Sequence, residues 1–349
     1  MKIHNSLRHF AFIPVLAILL FLNSDLNAAG DAGRKELAQT QRQEDMEFGK
    51  AYGESRFLPG EMLFYCDLYE GYDNNVNLDS SREKDIFTEA DMELGYSQPV
   101  ALDLNATLDY YLNSVTYHNI TDASFYANNF SLDLDSDIFD GMANVAFNNR
   151  IVYNYFPREE LSTYIAYDPQ ICIKHNFNES LFQRVVYDLG IRGYIDSKAA
   201  DGANERRDTD RMDISNSVSY ELGGLFLGGF FVKIKNQYIK NDSNDQFMDY
   251  YDYWAYRAAV TAMIPILTQR LHGLLSAGYQ RTNYDSRQLV DDDTRKERDN
   301  LYNISSSLVF DMTKNISVSV NYAYRQNGSN EPSQKYSGST ISAGLHYAF

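Results

Sequence analysis

A period of two runs through this chain, and no other feature restricts its fold so tightly. In the stretch from Ser337 to Phe349, Ile341, Ala343, Leu345, Tyr347 and Phe349 fall on one face of an extended strand. Thr340, Ser342, Gly344, His346 and Ala348 fall on the other. Such alternation makes a strand with one apolar and one polar side. A soluble fold would have to cover that apolar side with a second layer, yet the rest of the sequence offers only more strands of the same kind.

Ile86 to Ser97 sets Ile86, Ala90, Met92 and Leu94 against Glu89, Asp91 and Glu93, and Val100 to Ser114 sets Leu102, Leu104 and Leu108 against Asp103 and Asp109. Similar stretches occur at Met62 to Tyr72, Ala127 to Ile138, Met142 to Tyr155, Leu161 to Phe177 and Phe182 to Asp196. They continue at Arg211 to Leu222, Phe226 to Ile239, Asp249 to Ile264, Arg270 to Tyr284, Leu301 to Met312 and Ile316 to Gln326. With the terminal strand this predicts about 14 strands, the even number of a single-chain bacterial barrel. Pro169 interrupts one of them and predicts a bulge there.

The connections support the same architecture. Short ones such as Gln98-Pro99, Phe139 to Gly141 and Thr313 to Asn315 alternate with long polar ones such as Asp73 to Asp85, Ser197 to Asp210 and Asp285 to Asn300. Only Phe156 to Glu160 is shorter than its side predicts. Short turns at one end and long loops at the other mark a membrane barrel. We therefore expect an all-β fold, a transmembrane antiparallel up-and-down β-barrel over residues 61–349, with the long loops outside the cell.

Before it, Lys2, Arg8 and His9 precede the apolar run Phe10 to Leu22, and Ala28, Ala29 and Gly30 follow. That order predicts a signal peptide over residues 1–29 and export, since the apolar run is short for a membrane anchor. No Cys ends the run, which excludes a lipoprotein anchor. Residues 30–60 are polar and without period, read as a periplasmic extension or as a segment folding back into the barrel mouth. The net charge of −17 argues against a nucleic-acid partner. Cys66 and Cys172 are expected as free thiols on distant strands.

If apolar residues face lipid, the other register lines a lumen. The first strands then present an acidic arc of Asp67, Glu89, Asp91, Glu93, Asp103, Asp109, Asp133 and Asp135. Later strands present a basic side of Arg150, Arg192, Lys233, Lys235, Arg257, Arg281 and Arg325, diluted by Asp188, Asp213, Glu221 and Asp311. Charges in a dry core cost several kcal/mol unless paired, so this many predict water inside. Two readings stand side by side: an open channel with a transverse field, and charges that pair and close the lumen. Tyr65, Tyr69, Tyr111, Tyr251 and Tyr253 also point inward, where rings can stack on sugars or simply serve as strand residues.

Catalytic and metal motifs are sparse. No G-x-S-x-G elbow, P-loop or zinc spacing occurs, and we expect no cofactor, no metal and no enzyme activity. His118 lies near Asp122 in an outer loop, half of a surface protease site or a solvated residue. His346 is inward and near Ser342, with no acid at usable strand spacing.

Leu345, Tyr347 and Phe349 resemble the C-terminal signal that the barrel assembly machinery of the bacterial outer membrane reads. Gly71 to Val76, within LYEGYDNNVNLD, resembles the first strand and loop of the β-barrel porin type 2 family. That resemblance implies a porin-like barrel in outer-membrane lipid and lipopolysaccharide, passing small polar or saccharide solutes and associated with exopolysaccharide export. The alternatives are a scaffold barrel acting through its loops or extension and, further off, a surface hydrolase.

Overall fold

The structure is a computed structural model and describes residues 62–78, 82–101, 104–139, 142–157, 163–178, 180–195, 211–226, 229–244, 250–268 and 270–349. The expected signal peptide and extension, and Asp103, lie outside the described residues. Fourteen antiparallel strands close into one barrel, each beside its sequence neighbours, with β1 sealed against β14. They are β1 (Met62–Asp73), β2 (Asp85–Ala101), β3 (Leu104–Tyr117), β4 (Phe125–Ile138), β5 (Ala143–Tyr155), β6 (Tyr164–Asn176) and β7 (Leu181–Tyr194). Then come β8 (Met212–Phe226), β9 (Phe230–Ser243), β10 (Tyr253–Thr268), β11 (Leu271–Gln288), β12 (Lys296–Asp311), β13 (Ile316–Asn327) and β14 (Tyr336–Ala348).

The faces follow the pleat. Leu68, Leu94, Leu108, Phe130, Ile151, Ile171, Val218, Ile234, Val260, Ile304, Val320 and Leu345 form an exposed apolar belt around the outside. With β1 sealed against β14, each described strand has a neighbour on both sides, and the ladders satisfy the backbone behind that belt from within the barrel. Outer-face amides at the rim nearest the long loops are capped by tyrosines of neighbouring strands. Tyr187 donates to Asn216 at 2.8 Å, Tyr256 to Asn236 at 2.7 Å and Tyr279 to Asn300 at 2.9 Å. These bonds offset the cost of an amide facing hydrocarbon, and the rings form the aromatic girdle expected at an interface.

Turn chemistry separates the two ends. β2 stops at Ala101 and β3 starts at Leu104, whereas β7 ends at Tyr194 and β8 starts only at Met212. The expected long loop Asp285 to Asn300 is largely a hairpin, because β11 continues to Gln288 and β12 begins at Lys296. Pro169 does not produce the expected bulge. It pairs with Asn149 of β5, while the β7 ladder passes over Asp168 and Pro169 and resumes at Gln170 opposite Asp188 in unchanged register. Losing one ladder bond costs less than a register slip, which would turn every later side chain to the wrong face.

Small residues let rings lie against the wall. Tyr69 sits opposite Gly344, where a Cβ would come within 2.3 Å of its ring, and Phe87 sits likewise opposite Gly71. Cys66 is exposed on the outer face and Cys172 is buried on the inner one, so both are free thiols.

Candidate functional site

Among the described residues, the expected acids other than Asp103 lie on the inner wall. Asp67 lies directly opposite Asp91, and Asp91 opposite Asn113. The Asn113 amide donates to Glu89 at 3.0 Å and to Asp91 at 2.6 Å, and Tyr111 donates to Asp91 at 2.9 Å. Glu93, between Tyr65 and Tyr111 in the ladders, and Asp109, beside Gly95, continue the inward face. Further round, Asn105 donates to Asp135 at 3.4 Å, and Asp133 lies opposite Thr107 and Asn148. Carboxylates packed this closely on one arc repel one another, and the neutral amides and phenols between them soften that repulsion without cancelling the charge.

The basic side is built differently. Arg150 meets Asp168 at 3.2 Å, and Arg211 pairs with Asp213, both buried. Glu221 accepts from Arg184 at 2.6 Å with Lys235 at 3.8 Å, while Lys233 projects beside them on the same face. Arg325 reaches Asp73 at 2.9 Å. Arg257 bonds to the neutral Gln280 at 2.6 and 2.9 Å. Of the acids expected to dilute this side, Glu221 and Asp213 pair with bases locally. The sequence does not single out Arg184, whose partner Glu221 lies on the neighbouring β8, or Arg211, which leads into β8 and meets Asp213 two residues on.

Arg281 corrects the expected basic side. It lies opposite Tyr256 and Asn300, so it shares the outer face of those residues rather than the lumen. The adjacent Leu274 and Leu275 make the phase of β11 ambiguous from sequence. The strand puts Leu275 outward, which carries Arg281 out at the girdle, where its stem can rest on apolar surface and its charge reach water or head groups.

Towards the long loops the inside becomes a packed core. Val76, Phe87, Val115, Tyr117, Ala123, Phe125 and Phe156 form one buried cluster, and Leu78, Leu301 and Tyr336 another. Asp73 to Val76 of the first loop supply part of it. Asp73 accepts the Asn75 backbone N–H at 2.9 Å and the Tyr117 hydroxyl at 3.3 Å, and Asn75 donates to the Ser337 carbonyl at 3.0 Å. On the opposite wall, rings and guanidiniums alternate. Arg192 lies 4.5 Å from Tyr164, Arg211 4.3 Å from Tyr194 and 3.6 Å from Tyr251, and Arg287 4.0 Å from Tyr284. Stacked cations and aromatic faces attract one another, so this end is narrowed by groups that hold each other in place.

The two histidine readings also change. His118 Nε2 sits 3.0 Å from Thr88 and 3.7 Å from Glu70, on the outer rim. His346 does have an acid, because barrel closure brings Asp67 of β1 directly opposite it.

A closed, even-stranded antiparallel barrel with an apolar outer belt and polar inner wall has the architecture of a bacterial outer-membrane protein, and this chain is one. Among solved structures it is similar to an anion-selective porin from Comamonas acidovorans, at 10% identity and a TM-score of 0.44, over 83% of this chain and 99% of that one. It is also similar to a bacterial polysaccharide outer membrane secretin, at 8% identity and 0.46, over 81% and 98%. The CymD monoaromatic hydrocarbon channel matches at 8% and 0.47, over 84% and 89%. No family model and no curated protein matches the chain, so the resemblance at Gly71 to Val76 has no family match behind it. The structural likenesses are to barrels as a class and carry no argument about cargo.

Proposed function

We propose that this barrel is a passive channel for small polar solutes whose lumen favours cations. One observation carries the reading: several bases pair with acids beside them, as in Arg150–Asp168 and Arg184–Glu221, with Arg257 held by the neutral Gln280, while Asp91 and Glu89 accept from a neutral amide. The arc then dominates the interior potential, and low-dielectric walls focus it. Inward Tyr65, Tyr69, Tyr111 and Tyr253 support saccharides within the solute class, since rings stack on sugar faces. The Gly71 to Val76 resemblance supports a link to exopolysaccharide export. Outward Arg281 suits the anionic head groups of the lipopolysaccharide leaflet.

Planar-bilayer conductance with a panel of ions and oligosaccharides tests this. Changing Glu89, Asp91 and Glu93 to Gln, Asn and Gln should lower cation preference, most visibly at low salt, because the Debye length is only about 10 Å at 0.1 M. Unchanged selectivity removes the arc from the function. The packed outer end favours one second reading, a closed barrel working through its loops. A folded barrel that conducts nothing supports that reading over the channel.

A further inference from the structure

The last two strands, β13 and β14, meet the first, β1, at His346. Its Nε2 lies 2.8 Å from Ser319 Oγ of β13. Its Nδ1 lies 3.1 Å from Asp67 Oδ1 of β1, with the Tyr69 hydroxyl at a longer 3.4 Å from the same nitrogen. The serine hydroxyl and the carboxylate thus occupy opposite ring nitrogens, as a relay requires. With the Asp67 carboxylate accepting from Nδ1–H, Nε2 is left as the acceptor for the serine proton. His118 shows the contrast, because Thr88 and Glu70 both approach the same nitrogen, Nε2, and no relay can run through it.

A fourth group completes the set. Asn321, two residues beyond Ser319 on the same inward face, places Nδ2 3.2 Å from Ser319 Oγ and 3.3 Å from Ser342 Oγ. A side-chain amide beside the nucleophile is a donor for the charge that develops on an attacked carbonyl oxygen. Ser319 faces Gly344, whose missing Cβ admits the Tyr69 ring, and that ring stands edge-on to His346 with centroids 5.2 Å apart. Ser319 itself is 5% exposed, shielded but on the inner wall.

We propose that Ser319, His346 and Asp67 form a serine esterase site on the lumen wall, acting on short O-acyl esters of polar alcohols. The class follows from the surroundings. Ser342, Asn321 and Tyr69 flank the serine, and they leave an acetyl-sized acyl group polar neighbours rather than an apolar sleeve for a fatty chain. In the first step Ser319 Oγ bonds to the ester carbonyl carbon while its proton passes to His346 Nε2. The carbon–oxygen bond to the alcohol then breaks, and that oxygen leaves with the proton from His346. Water attacks the acyl-serine with His346 again taking its proton, the carboxylic acid departs, and Ser319 regains its hydrogen. Asp67 is a positioning residue that holds the imidazole and stabilises its charged form.

The experiment uses the full chain, folded in detergent, with a fluorophosphonate probe and p-nitrophenyl acetate. Mass spectrometry of the folded wild type should place the probe on Ser319. Ser319→Ala and His346→Asn should each lose labelling and ester turnover by at least about 100-fold. Asp67→Asn should slow labelling by at least about tenfold and Asp67→Glu should recover part of it, which a purely structural role would not produce. Ser305→Ala, on the same inner face of β12, should change neither. Heat-modifiable migration checks that each variant is folded. Absence of probe from Ser319 in the folded wild type overturns the proposal without needing any variant, as does turnover that survives Ser319→Ala. Either outcome leaves the conductance test of the channel untouched.

Discussion

Arg325 Nη2 donates to Asp73 Oδ2 at 2.9 Å, tying the thirteenth strand to the top of the first across the intervening β14. Both side chains are buried, Asp73 at 0% and Arg325 at 9% exposure. Removing one partner of a buried pair costs about 3–5 kcal/mol, because a charge stays behind in a poor solvent. Arg325→Met should therefore lower the midpoint of heat-modifiable unfolding, and adding Asp73→Asn should restore most of the loss. A single variant with an unshifted midpoint removes the latch role.

The closing seam gives a second expectation. Phe349 N–H donates to the Phe64 carbonyl at 2.9 Å, Phe64 N–H returns a bond at 3.1 Å, and the Tyr347 ring meets the Phe64 ring edge-on at 6.3 Å. Deleting Phe349, or changing Tyr347 and Phe349 to Ser, should strand the chain in the periplasm for proteases. Membrane fractionation decides: a normal barrel in the outer membrane after that change ends the role assigned to these rings.

Orientation can be read with thiols. In a Cys66→Ala, Cys172→Ala background, cysteine at Asp293, between β11 and β12, should react with an impermeant maleimide on whole cells. Cysteine at Lys314, in the turn between β12 and β13, should not. The reverse pattern inverts the barrel in the membrane.

Glu331 makes the loop tip pH-sensitive. Its carboxylate accepts the Val290 backbone N–H at 2.9 Å and the Ser333 backbone N–H at 3.3 Å and hydroxyl at 3.1 Å. These bonds, the one from Val290 foremost, hold its carboxyl below the usual range. A depressed folded-state pKa stabilises above the unfolded value and is lost as pH falls through the folded one. The protection of the Val290 amide, taken against the intrinsic exchange rate at each pH, should hold at neutral pH and fall only in acid below the ordinary carboxylate range, and Glu331→Gln should lower it at neutral pH. Exchange at Val290 that ignores both changes severs this link.

Local pattern carried most of the fold. Which side of a strand meets lipid depends on the pleat alone, so Leu94 and Leu108 against Glu89 and Asp109 was readable residue by residue, and so was the alternation of short and long connections. It failed where the pattern is doubled, at Leu274 and Leu275, which left Arg281 without a phase. It also failed at Pro169, where the cost of a slip outweighed a lost hydrogen bond.

The sequence by itself determined the strand count, the two faces and the inward acids, because each of these is a property of neighbours along the chain. Only the tertiary structure decided which inward groups meet. Barrel closure sets β1 against β14 in a particular register, and that stagger brings Asp67 to His346, Ser319 to its other nitrogen and Asp73 to Arg325. The folding of the first loop into the mouth was equally hidden, since Val76 and Leu78 find their apolar partners on strands β2, β3 and β12 and not beside them in the chain. Closure and stagger are relations between strands, set by packing around the whole ring, and no local period encodes them.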